Sequence, residues 1–451
     1  MFTKHKIADV FKRLASSLLA LFIITGPVLA DETATLSIKS IPNVNIRMYG
    51  FIENDLINDS VQGINEETDN PAVPKANTYA GSHHQTIMSV RNSRLGFDIT
   101  MPKTENGLET EGIFEFDFLG NQSDNTSPGT AFTSETQRDF FNNPAVRIRH
   151  AYVNITDGQW NAKIGQTWSL LGWQPYYFPS EADVQPNVGQ LYRRFAQIRG
   201  MNTQQFMNGD WTLETAIDVA RPAELQSGLT DEHAGIRLAS TKYKAVSGLG
   251  SSTPMVGASL ALSGELIPFR TAAVGTANGT VVAVDMLVPI IPSSDGKNPS
   301  NTLALTSEYS NGRGYGGLEL AGATAGLAAA SAVSADGTNN LDSGMAGLDR
   351  GNIDLIHYQT YRSNLTYMWP GAHWANSIGY AATETLNLAD FNGTTTGGIL
   401  KYQYYYGNVM YLPLTWLRFA LEWAQYKDTY NDPTNVHAYD NRIQFTTYLT
   451  F

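Results

Sequence analysis

Six arginines, Arg47, Arg94, Arg147, Arg149, Arg193 and Arg199, occupy positions that an extended, alternating chain would turn toward one side. A guanidinium is a planar fork of donors that matches a carboxylate and keeps its proton at any physiological pH. Such a set replaces part of the water around a small organic anion without any bond-making step. Past residue 30 the chain holds 17 Arg against 9 Lys, so the bias is toward the fork rather than the point charge. Arg91 and Arg194 fall out of phase with their neighbours, as residues at a strand end or bulge do.

Carboxylates stand within reach. Glu109, Glu111, Glu115 and Asp117 form a stripe of period two, and ion pairing that merely stiffens a wall is the competing reading of the arginines. The stripe has the oxygen chemistry of a Ca²⁺ site, but a solvated wall explains it more simply. His83 and His84 are adjacent, which turns them to opposite sides of an extended chain and makes a poor metal pair. The chain has no Cys, Gly-rich phosphate loop, nucleophile elbow or zinc signature. No enzyme activity, cofactor or metal is therefore expected.

The segment 168–190 is aromatic and Pro-rich, too apolar for a loop that only meets water. It predicts a loop folded back to narrow a passage, with Tyr176, Tyr177 and Phe178 offering a stacking surface. Glu181 and Asp183 are expected to face the arginines and set up a transverse field. A subunit-contact loop is the alternative.

These groups need a scaffold. The chain has 451 residues, 42% hydrophobic and 16% charged, with a formal charge of −12. Lys4, Lys6, Lys12 and Arg13 precede an apolar stretch ending in Val28-Leu29-Ala30, which reads as an export signal over 1–30, removed before Asp31. Its removal leaves 26 basic and 41 acidic groups, a balance of −15 that argues against nucleic acid. A short periplasmic segment at 31–43 and a single domain over 44–451 follow. No later segment is apolar and long enough for a membrane helix, so a membrane location requires a closed barrel.

The pattern has period two. Ile443, Phe445, Thr447, Leu449 and Phe451 share one face of the last segment, and Arg442, Gln444, Thr446, Tyr448 and Thr450 share the other. Short turns at 101–107, 156–159, 370–372 and 412–415 alternate with long stretches at 55–84, 121–144 and 427–437, the asymmetry of an outer-membrane barrel. The terminal Phe451, with Phe445 and Leu449, resembles the signal read by the barrel-assembly machinery. At about 25 residues per strand and connection, the expectation is an all-β transmembrane antiparallel barrel of about 16 strands, or 18 if the region 266–352 supplies more. Trp160, Trp211, Tyr152, Trp369, Trp374 and the run 402–406 are expected in the interfacial girdles.

Three phrases, Arg91-Asn92-Ser93-Arg94-Leu95-Gly96-Phe97, Arg147-Ile148-Arg149-His150-Ala151-Tyr152 and Gly165-Gln166-Thr167-Trp168-Ser169, resemble the DcaP-type porins of Gram-negative bacteria. That resemblance implies a homotrimer of barrels in the outer membrane that admits small anionic organic solutes, dicarboxylates among them. A sugar- or nutrient-specific porin with an aromatic slide is the alternative, and a secreted all-β carbohydrate-active enzyme a further one. Family members often begin with a coiled-coil segment, whereas only 31–40 precede the first strand here.

Overall fold

The computed structural model describes residues 35–37, 43–62, 66, 72–120, 144–183, 187–221, 229–249, 254–271, 275–316, 346–349, 352–388, 398–432 and 437–451. The expected export signal, most of the 31–43 segment, the whole of 121–143 and all but the first residue of 316–332 lie outside them.

Strands dominate because β-branched, aromatic and polar residues alternate along each segment. In chain order they are β1 (Thr35–Ser37), β2 (Asn45–Asp59), β3 (Gln85–Ser89), β4 (Arg94–Thr100), β5 (Glu109–Gly120), β6 (Ala145–Asp157) and β7 (Trp160–Trp168). Then come β8 (Arg194–Phe206), β9 (Trp211–Ala220), β10 (Asp231–Val246), β11 (Met255–Thr271), β12 (Gly275–Ile291) and β13 (Thr302–Arg313). A hairpin of β14 (Ala346–Asp349) and β15 (Asn352–Leu355) stands apart from the main sheet. The remainder are β16 (His357–Met368), β17 (Trp374–Thr385), β18 (Ile399–Leu414), β19 (Leu417–Tyr430) and β20 (His437–Thr450).

From β4 onward each main-sheet strand pairs antiparallel with its successor, and β20 returns to β2 with Phe51 opposite Thr450, so the sheet closes. β3 and β4 pair with successive parts of β2 and make one stave, giving 16 staves from the 18 strands of the sheet once β1 is set aside. β1 lies on β2 with Thr35 opposite Arg47, beyond the point where β20 ends. Closure removes every sheet edge, as backbone groups in hydrocarbon require.

Several boundaries differ from the sequence reading. β2 runs on to Asp59 and β19 to Tyr430, because polar residues at those ends still have ladder partners in β20 and β18. In 266–352, the described strands are the remainder of β11, then β12, β13 and the detached hairpin. Pro289 falls where the β12–β13 register shifts, where a missing N–H is tolerated.

Alternation sorts the side chains. Ile52, Ile148, Ile198, Ile217, Leu260, Leu262, Val282, Ile378, Val409, Trp423 and Leu449 are exposed on the outer face, the belt that meets lipid. Trp160, Trp369 and Trp374 are exposed at strand ends, as girdle residues are. Tyr402, Tyr404 and Tyr406 instead point inward and are buried, and Tyr405 alone of the tyrosines in that run faces out. An aromatic run in a strand splits between faces, so it cannot be one girdle. Tyr152 also points inward, under the Lys163 ammonium at 5.8 Å.

Candidate functional site

Loop 169–193 leaves the end of β7 and crosses the interior. Gly172 N donates to Ser263 Oγ on β11 at 3.0 Å, and Gln174 and Leu191 N both donate to Glu308 on β13 at 2.9 Å. Arg362 on β16 donates to the Tyr177 carbonyl at 2.8 Å and to Glu308 at 3.0 Å. Farther on, Asn408 donates to the Ser180 carbonyl at 2.9 Å, Ala182 N to Glu422 at 2.9 Å, and Arg418 to the Ala182 carbonyl at 3.0 Å. The loop is thus folded inward and strapped to the wall opposite its root.

A second segment meets it. The connection after β10 turns inward, and Leu249 N donates to Ser180 Oγ at 3.0 Å. Gly248 makes this turn at φ +63°, and a Cβ there would sit 3.0 Å from Phe178 Cβ. Leu249 is buried with Ala182, Val246, Met368, Ala375, Met410 and Ala420. Nothing in the sequence pattern singles this turn out, because its residues are small and unremarkable in type.

The interior therefore has two unlike sides, where the alternation had suggested one water column. On β11 to β20 nearly all inward side chains of the described strands are buried by the loop, the turn and one another. On β2 to β8 several inward side chains remain partly open: Arg47, Tyr49, Asp98, Glu111, Arg147, Tyr152, Asn154 and Lys163.

The arginines gather on the open side. Arg149 on β6 is fully buried and spends its whole fork: Nε on Glu115 Oε1 at 2.9 Å, Nη1 on Asp117 Oδ2 at 2.9 Å and Nη2 on the Tyr192 hydroxyl at 3.1 Å. Arg147 is bidentate to Asp117 at 3.0 and 2.8 Å and stays 28% exposed. Arg94 reaches Glu115 only at 3.5 Å and lies 4.9 Å over the Phe51 ring. Arg194 stacks on Trp168 at 4.6 Å and Tyr192 at 5.2 Å. Four guanidiniums thus face two carboxylates, a local surplus of about two positive charges. Arg94 Nη2 and Arg194 Nη1 have no hydrogen-bond partner among the described residues. Burial pushes the Tyr192 hydroxyl pKa up, but Arg149, Arg194 and Arg94 pull it harder, and it ends below the ordinary tyrosine value.

The remaining candidates scatter. Arg199 donates to Asp218 at 2.9 Å and to the Trp168 carbonyl at 2.7 Å, fixing the loop root. Arg47 pairs with Asp98 at 2.9 Å and is 48% exposed at the other end of the barrel. Arg193 is in the loop rather than on β8, which starts one residue later. The carboxylate stripe divides in the same way: Glu115 and Asp117 are buried against the arginines, Glu111 accepts from Asn154 at 3.4 Å, and Glu109 pairs with Lys103 near solvent at 2.7 Å.

Glu181 and Asp183 do not face Arg94, Arg147 and Arg149. The backbone bonds at Ala182 carry them past the centre, and Asp183 instead accepts from Gln444, which also donates to Asp55. Glu181 accepts from Asn187 at 2.6 Å. Burial, followed by Glu422 and Asp183, raises the Glu181 pKa well above the usual carboxylate range. Tyr177 is buried with its hydroxyl on Ser259, and Tyr176 lies under the Arg237 guanidinium at 3.7 Å. Only Phe178 joins the arginine cluster, through Trp168 at 5.2 Å and Tyr192 at 5.6 Å. The sequence reading did not single out Arg237, Arg362 or Arg418. Their inward alternation was available, but not which of them the loop would cover.

Phe445, Leu449 and Phe451 lie on the outer face of the last stave. Phe445 stacks on Phe419 at 6.3 Å, and Phe451 exchanges backbone hydrogen bonds with Gly50 at 3.0 Å.

Comparison with solved structures matches the barrel fold to known channels. The outer membrane channel DcaP of Acinetobacter baumannii superposes with a TM-score of 0.65 at 16% identity, over 93% of this chain and 100% of that one. The fold is that of an outer-membrane porin. An anion-selective porin from Comamonas acidovorans also matches, with a TM-score of 0.51 at 10% identity over 91% of this chain and 100% of that one. No protein-family model matches the chain, and no curated protein matches it in sequence.

Proposed function

We propose that the chain forms a passive channel, as a homotrimer in the outer membrane, for small organic anions, dicarboxylates among them. Solutes pass along the β2 to β8 side of the interior, because the other side is filled. Arg94, Arg147, Arg149 and Arg194 form the selective constriction; Arg47 and Arg199 lie on the same wall, and Phe445, Leu449 and Phe451 serve assembly. The observation that carries this reading is the surplus of guanidinium over carboxylate there, with Arg147 still partly exposed on the open side and Arg94 and Arg194 behind it. Arg149 and the carboxylates act as the frame that holds these forks in place. A channel needs no reacting group, only fixed charge in a narrow passage that offsets lost hydration.

The net charge of −15 does not oppose this. Charges beyond a Debye length of about 8–10 Å are screened, whereas a guanidinium about 5 Å from a carboxylate contributes about 1–3 kcal/mol at effective dielectrics of roughly 60 to 20. The test is reversal potential across planar bilayers under a KCl gradient, with and without succinate. Wild-type protein should prefer chloride and show succinate block. The R94Q/R194Q protein should lose most of both, and an unchanged preference would reject the constriction.

A further inference from the structure

We infer that the outer face of β18, β19 and β20 carries a docking site for the phosphate group of an outer-leaflet glycolipid, built from Lys401, Lys427 and His437. The direction of these side chains follows from their neighbours. Tyr402, Tyr426 and Ala438 beside them are buried inward, so Lys401, Lys427 and His437 point out toward lipid.

The register brings the three together. Lys401 is opposite Thr429, and Thr429 is opposite His437, which places them in one row across three strands. Lys427 is opposite Gln403 and Tyr439, one inward-outward repeat below that row. Diagonal neighbours of this kind lie about 7–8 Å apart, a span that one phosphate bridges. Thr429 Oγ1 sits between Lys401 and His437 and is within 3.3 Å of His437 Nδ1.

Their depth fits the headgroup layer. Tyr411, stacked with Phe419 at 6.5 Å and tilted against Trp374 at 4.5 Å, marks the inner girdle. From Tyr411 to Lys401 is ten residues along β18, about 33 Å of strand, or about 25 Å of depth at the usual tilt of roughly 40°. That is the height of the apolar belt. Lys401, Lys427 and His437 therefore stand where hydrocarbon gives way to headgroups. Exposed Tyr439 lies under the Lys427 ammonium at 5.8 Å.

Charge complementarity selects the occupant. Lys401 reaches one carboxylate, Glu384 at 3.4 Å, and no carboxylate lies within ion-pair distance of Lys427 among the described residues. A cluster with a cationic surplus at this depth attracts a phosphate fixed to a lipid, which brings its own acyl chains to the apolar belt below.

The experiment uses the full-length protein in detergent with purified diphosphorylated lipid A as probe, read by native mass spectrometry. Wild-type protein should retain it, and K401Q/K427Q protein should bind it at least tenfold more weakly. Enzymatically dephosphorylated lipid A should bind both proteins as weakly as the double variant binds the intact probe. Unchanged single-channel conductance and heat-modifiable gel mobility show that the variant is folded. Equal retention by folded wild-type and variant protein, or equal binding of dephosphorylated lipid A by wild type, would overturn the assignment.

Discussion

The Gln444 side-chain amide donates to Asp183 of the crossing loop at 3.0 Å and to Asp55 of the wall at 3.1 Å, so one side chain ties the loop tip to the barrel. A neutral donor shared between two acids holds them together without adding charge.

Gln444→Leu keeps the volume and removes the donor. Two buried carboxylates then lose a partner, at a cost of about 1–3 kcal/mol. The midpoint of heat-modified gel migration should fall, and Gln444→Glu should lower it further by adding a third acid.

Stability should depend on pH through Glu181. Its pKa is raised in the folded state, so the protonated form is favoured by folding. That contribution is complete below the ordinary glutamate range and is lost as pH rises through the elevated value. Thermal midpoints should therefore decline from acid toward alkaline pH, and Glu181→Gln should flatten the decline. A steeper decline in that variant would contradict the direction.

Arg149 and Arg94 should separate structure from selectivity. Arg149→Ala removes the one guanidinium that joins Glu115 to Asp117, leaving Asp117 to Arg147 and Glu115 to the longer Arg94 contact, and breaking a buried pair costs about 3–5 kcal/mol. Arg94, whose one ion pair is long at 3.5 Å, should change ion preference with little loss of stability when replaced by Gln. Paired reversal-potential and melting measurements check both.

Asp117→Asn should raise anion preference, because it removes one of the two acids that offset the four guanidiniums, while Arg147 loses a bidentate partner. A fall in anion preference would mean that the acid orients the arginines more than it neutralises them.

Gly248→Val places a side chain at φ +63° and against Phe178. The strained backbone alone costs about 1–3 kcal/mol. Open-channel current noise should increase as the turn loosens its hold on the loop at Ser180.

Period-two alternation made the barrel readable, because one face of every strand must meet lipid and a single slip exposes a charge. Arg94, Arg147 and Arg149 were readable as inward for the same reason. What alternation does not encode is how far a loop travels once inside. Glu181 and Asp183 have the composition of groups that face arginines, yet backbone bonds at Ala182 to Glu422 and Arg418 carry them to other acids. Aromatic content alone suggests a girdle for Tyr402, Tyr404 and Tyr406, whereas their shared phase turns all three inward, where they are buried. The turn at Gly248 and Leu249 left no signal, since its burial depends on a partner about 70 residues earlier in the chain.

Ser180 and Leu249 belong to segments that enter the barrel from opposite mouths and clasp in the middle. The gauge of the passage is consequently decoupled from the circumference of the cylinder. Lengthening or trimming either segment would widen or choke the aperture while every stave kept its place, so such a molecule can acquire a new diet through two short stretches of chain.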